Sequence, residues 1–181
     1  MLHLLPTIFR TTLAVLEMDF SGTIAAVGPS SNLKERGLEP VIPVFSSITV
    51  LHHLKGIGAL AEFIVLDAAT VVRVPAPVES EEGKGADIEG VMWQAAGLGV
   101  AGCTALELLK HAGLKRGDAV LVNGASGGIR HLVVQMCRQA VGESGRVVGV
   151  CSGGNAEMVR GLGADEVSQD WNWMKGRWPG K

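Results

Sequence analysis

Residues 120–135, "VLVNGASGGIRHLVVQ", constrain this chain more than any other stretch. An apolar, β-branched run enters three glycines, Gly124, Gly127 and Gly128, and leaves in a second apolar run. That order predicts a strand, a tight turn and then a helix. Glycine lets such a turn close tightly and lets a phosphate approach its backbone, while the free N–H groups and positive dipole end of the helix favour an anion there. Ser126 adds a hydroxyl donor. An ordinary β–α turn could use the same glycines, so the pattern takes its weight from standing between strand and helix. A third glycine normally lets helix and strand pack closely, and Arg130 stands in its place. Either its stem overpacks the strand, at about 1–3 kcal/mol, or its guanidinium swings out to meet a phosphate. The packing penalty is the stronger expectation.

The flanking sequence predicts an α/β fold. After residue 91 the chain reads as a helix around 92–112, a strand at 119–123 and a helix at about 127–140. A strand at 146–151, a helix at 155–162 and a short strand near 166–168 follow. This alternation predicts βαβ units and a parallel sheet. Earlier, 13–28 reads as one strand, and 58–74 as two more, closed by Pro75 and Pro77. "PAPVESEEGKGADIEG" (75–90) is acidic and rich in proline and glycine, a linker composition. The expected organisation is a β domain in 1–80, a linker at 81–90, a dinucleotide-type domain in 91–170 and an atypical tail at 171–181. Three of the four tryptophans fall in that tail.

The second strand of a dinucleotide fold often ends on an acid that binds the ribose 2′-hydroxyl. Here it ends in "VCSGGN", 150–155, small and without an acid. Nothing there would repel a 2′-phosphate, which favours NADPH over NADH.

Composition excludes several classes. With 47% hydrophobic and 19% charged residues, the chain reads as soluble and globular. A net charge of -2 gives no reason to expect nucleic acid or an anionic membrane as partner. The most apolar stretch, 91–109, holds Gln94, Thr104, Glu107 and three glycines, which suits a buried helix better than a bilayer span. Cys103, Cys137 and Cys151 form no CxxC pair, which fits a reducing, cytoplasmic setting. These cysteines, with the adjacent His52 and His53, do not supply a zinc-ligand set; the two histidines are expected in a surface loop. The absence of tyrosine dismisses a Tyr/Lys catalytic pair, and "ASGG" is not a nucleophile elbow.

Several stretches together resemble the medium-chain dehydrogenase/reductase superfamily, specifically its zinc-free quinone oxidoreductase-like branch. They are "MDFSGTIAAVG" (18–28), "GALAEFIVLD" (58–67), "AGCTALELL" (101–109), "VLVNGASGGIRHLVVQMC" (120–137) and "GRVVGVCSGGNAEMVRGLGADEV" (145–167). The resemblance implies a partial GroES-like substrate domain followed by a partial Rossmann domain. It implies an NADP(H) cofactor and hydride transfer to a quinone or an activated alkene such as an enone, with no metal. By position, Thr104 would lie near the nicotinamide. Ser126, Gly127, Gly128 and Ile129 would line the pyrophosphate, and Ser152 with Asn155 the adenosine ribose phosphate. Thr104 and Asn155 would serve equally well as helix N-caps. The catalytic residues are not assigned, and a homo-oligomer is compatible with the pattern.

Three departures accompany the resemblance. Glu17 replaces a common glycine, "ERGLEPVIPVF" (35–45) lacks the usual "GD" turn, and Arg130 replaces the glycine already discussed. The chain is also expected to start inside the substrate barrel and to stop before the last Rossmann strands. That would leave strand 119–123 as an exposed edge. The alternative reading is therefore a catalytically inactive truncated reductase fragment or nucleotide-binding remnant. A trans-acting enoyl reductase is a further enzyme variant.

Overall fold

The computed structural model describes residues 14–29, 33–76 and 88–169. They belong to two compact units that divide after Val100. Most of the expected linker and the whole tail at 171–181 lie outside the described residues.

In the first unit, β1 (Asp19–Thr23), β2 (Pro43–Ser47) and β3 (Val72–Arg73) form an antiparallel sheet in that order. Leu38 and Val44 are buried at its core, with Ile24, Val27, Ile42 and Val71 packed on them. The Arg36 guanidinium donates to the carbonyls of Ala68 (2.5 Å) and Val71 (2.8 Å), which fixes the approach to β3.

The two strands expected over 58–74 reduce to β3. Residues 58–67 are apolar enough for a strand but hold only isolated backbone bonds. Ala59 N–H donates to Glu17 O (2.8 Å) and Leu60 N–H to Leu16 O (3.0 Å). Phe63 and Val65 remain 70% and 96% exposed. Strand propensity is realised through cross-strand neighbours, and among the described residues this segment has no ladder.

His52 and His53 are not in a loop either. They sit in α1 (Val50–Leu54), whose N-cap Thr49 accepts the His52 N–H. Helical geometry sends the two side chains in different directions, and His53 is buried.

Two of the three departures have a backbone consequence. Glu17 (φ 65°) and Val41 (φ 74°) are the non-glycine residues with positive φ among those described. Glu17 stands where the resemblance has a common glycine, and Val41 lies in the stretch that lacks the "GD" turn. An L side chain in that region costs about 1–2 kcal/mol, and a β-branched one is a genuine outlier. Val41 is 78% exposed, so removing its side chain forfeits little packing. Val41→Gly should therefore stabilise the chain by about 1 kcal/mol, once the greater unfolded freedom of glycine is set against the relieved strain. A higher urea midpoint at unchanged m-value would show it.

The single helix expected at 92–112 is two: α2 (Ile88–Ala96), which packs on β1 and β2, and α3 (Val100–Ala112). At the break, Gly99 runs so close to β1 that a Cβ would fall 2.6 Å from Asp19 Oδ1. The Val100 N–H donates to that same carboxylate at 2.8 Å. Among the described residues no single helix is long and apolar enough to cross a membrane.

The second unit follows the sequence reading closely. β4 (Ala119–Asn123), α4 (Arg130–Val141), β5 (Arg146–Val150), α5 (Ala156–Gly161) and β6 (Glu166–Ser168) alternate, and the strands are parallel in the order β4-β5-β6. Val122, Val134, Cys137, Val141, Val147 and Val159 form the buried core. α5 approaches β5 so closely that a Cβ on Gly149 would lie 2.6 Å from Val159 Cγ1. Burial pushes the Cys137 thiol up, which makes it an inert core residue. Among the described residues β5 is buried and paired on both sides, whereas β4 pairs with β5 alone.

Candidate functional site

The carboxyl ends of β4, β5 and β6 carry the polar and glycine-rich residues. β4 runs into Gly124, whose φ of 65° suits glycine. Gly127 N–H then donates to Gly124 O (2.9 Å) and His131 N–H to Gly127 O (2.9 Å), which closes the turn and starts α4. Ala125 N–H donates to Val150 O (2.8 Å) and ties the turn to the end of β5.

Four donors remain. Among the described residues the backbone N–H groups of Ser126, Gly128, Ile129 and Arg130 meet no backbone acceptor. Ile129 caps α4 without a side-chain hydrogen bond, and the first turn has no acidic residue. The positive end of this helix thus carries no acidic side chain of its own. A Cβ on Gly128 would meet nothing within 4 Å, so the backbone is open to approach there. Free donors, a helix dipole and an open glycine face fit a pyrophosphate.

At the end of β5, Asn155 N–H donates to Ser152 O (2.9 Å) and Asn155 Nδ2 to Ser152 Oγ (3.1 Å). Both residues are exposed. Asn155 occupies the cap position of α5, yet its side chain makes no capping bond and is held by Ser152 instead. The structure therefore brings Ser126–Ile129 together in one turn and places Ser152 and Asn155 together at the end of the adjoining strand. Thr104 stands half-buried well inside α3, so it is not the N-cap of that helix.

Two residues were not legible beforehand. Gln169, just after β6, reaches back to the same loop: a Cβ on Gly153 would lie 2.9 Å from Gln169 Oε1. His131 braces the turn, with Nδ1 3.2 Å from Gly127 O. Gln169 lies outside the quoted stretches and acts through a contact between elements, whereas His131 lies within one and acts on the turn four residues before it.

Arg130 corrects the packing expectation. It is exposed, and its side chain folds over the turn instead of wedging between helix and strand. Its Cδ and Nη1 lie 3.3 and 3.1 Å from where a Cβ on Gly124 would be. A stem in solvent has no core to overpack. Among the described residues no group of three His, Cys, Asp or Glu side chains is placed to hold a metal ion.

A parallel βαβ unit with a glycine turn at the switch from strand to helix, preceded by an antiparallel unit, defines a two-domain nucleotide-type α/β architecture. No family model matches the chain. It is 32% identical over 173 residues to a trans-enoyl reductase of Penicillium oxalicum, covering 90% of this chain and 44% of that protein. It is 40% identical over 126 residues to the chloroplast envelope quinone oxidoreductase homolog of Arabidopsis thaliana, covering 66% and 33%. A mycobacterial structure complexed with NADPH aligns at TM-score 0.65 and 27% identity, over 87% of this chain and 43% of that one. The chain thus spans less than half the length of these relatives. It belongs to the medium-chain dehydrogenase/reductase superfamily, in its quinone oxidoreductase-like branch. Its two units are part of a GroES-like domain and part of a Rossmann domain.

Proposed function

We propose that this chain is an NADPH-dependent oxidoreductase that delivers hydride to a quinone or to an activated alkene such as an enone. The observation that carries the reading is the turn itself. Four N–H donors without a backbone acceptor among the described residues, an uncapped helix end and an open Gly128 follow directly on a parallel strand. The neutral Ser152–Asn155 pair at the end of β5 offers hydroxyl and amide partners to a ribose 2′-phosphate. The names of the relatives, enoyl and quinone reductases, support the acceptor class. When bound, the nicotinamide would supply the hydride. The residues of this chain hold the phosphates and set the direction of the cofactor.

The test is NADPH consumption by the chain with a panel of quinones and enones. The expected result is a rate above the no-enzyme control. A second reading, nucleotide binding without turnover, is favoured by the incomplete packing of the first unit, where Leu60, Phe63 and Val65 face solvent. A flat trace together with NADPH-induced thermal stabilisation would select that reading. A flat trace without stabilisation would overturn both.

A further inference from the structure

We infer that Arg130 is a phosphate-binding residue of the turn, a guanidinium clamp for the pyrophosphate where a glycine would only allow packing. The inference rests on the reading of the turn as a dinucleotide site and adds a specific contact to it.

Three observations carry it. First, the side chain lies over two of the three glycines of the turn. Nη1 is 3.1 Å from the Cβ position of Gly124 and 3.5 Å from that of Gly127. Second, the guanidinium has no hydrogen-bond or ion-pair partner among the described residues, and no acid stands in the first turn of α4. Third, the turn beside it is rich in unengaged donors. The neighbouring N–H groups of Ser126, Gly128 and Ile129 are donors without backbone acceptors, and the helix dipole presents its positive end.

The guanidinium makes no hydrogen bond in the turn among the described residues, and the backbone N–H groups beside it add further donors. A dianionic pyrophosphate resolves this crowding. It accepts from the backbone donors and from the planar fork together, the geometry in which arginine binds phosphate bidentately. The exposed stem lets the head move aside as the anion enters.

The test uses the full chain and measures the Kd for NADPH of the wild type, Arg130→Gly and Arg130→Lys. Loss of a charge-assisted contact should weaken binding by Arg130→Gly about ten- to a hundredfold. Arg130→Lys, which keeps the charge but not the fork, should fall between. Inorganic pyrophosphate should follow the same order. Adenosine 2′-monophosphate, which lacks the pyrophosphate, should bind wild type and Arg130→Gly alike.

NADPH binding by Arg130→Gly equal to or tighter than wild type would overturn the clamp and leave the proposed function standing. Parallel loss of adenosine 2′-monophosphate binding would overturn it too, because the effect would then be a general disturbance of the site. A wild-type chain that binds no NADPH would remove the proposed function, and the clamp with it.

Discussion

Gly128→Asp should abolish measurable NADPH binding while leaving the melting temperature unchanged. The two halves of this expectation have separate causes. A Cβ at Gly128 meets nothing within 4 Å, and the residue is not among the glycines with positive φ. A side chain can therefore be added there without clash or backbone strain. An aspartate would nevertheless set a negative charge among the donors meant for the pyrophosphate. Two like charges about 4 Å apart repel by about 4 kcal/mol at the effective dielectric of a protein surface, close to a thousandfold in affinity. Titration of NADPH against both proteins, with thermal melts of each, checks it. Undiminished binding would mean that the phosphates lie elsewhere.

Arg138→Ala should be the most damaging single substitution outside the hydrophobic core, at about 3 kcal/mol. Arg138 gathers three segments of the second unit. Its Nε donates to Gly163 O (3.1 Å) and its Nη1 to Gly142 O (2.7 Å), while Nη2 pairs with Asp165. Asp165 in turn accepts the Val147 N–H at 2.7 Å, so the network holds the start of β5 and the approach to β6. The arginine side chain is 23% exposed, which leaves these bonds better shielded than those of a surface pair. Its stem also lies beneath Gly163, where φ is 105° and a Cβ would fall 2.9 Å from Arg138 Cγ. Asp165→Asn should cost less, because an amide oxygen can still accept from Val147. Urea unfolding of the three proteins tests the ranking, and an Arg138→Ala midpoint equal to wild type would refute it.

The second unit was legible in the sequence because its signals are local. The strand reading at 119–123 coincides with β4, and the short strand near 166–168 with β6. The helix after the turn begins at Arg130, not 127. As at any helix start, the first N–H groups have no partner within the helix. In the first unit, β-branched runs alone did not locate strands. The run over 58–67 is more apolar than 19–23, yet among the described residues it is 19–23 that pairs in a ladder, with β2. Similarly, one continuous helical pattern was divided at Gly99 by an aspartate eighty residues earlier in the chain.

The candidate site divides in the same way. The amino-acid sequence by itself determined the glycine turn, the absence of an acid after β5 and the positions where glycine is missing, because each is a property of neighbouring residues. Tertiary structure alone decided the rest. It placed Glu17 and Val41 in left-handed backbone, buried His53, brought Gln169 to the loop after β5 and turned Arg130 over the glycines instead of against the strand. These outcomes depend on which side of an element faces a neighbour. Residue order sets the local conformation of a segment, but the direction of a side chain and the company it keeps are fixed only when distant segments pack.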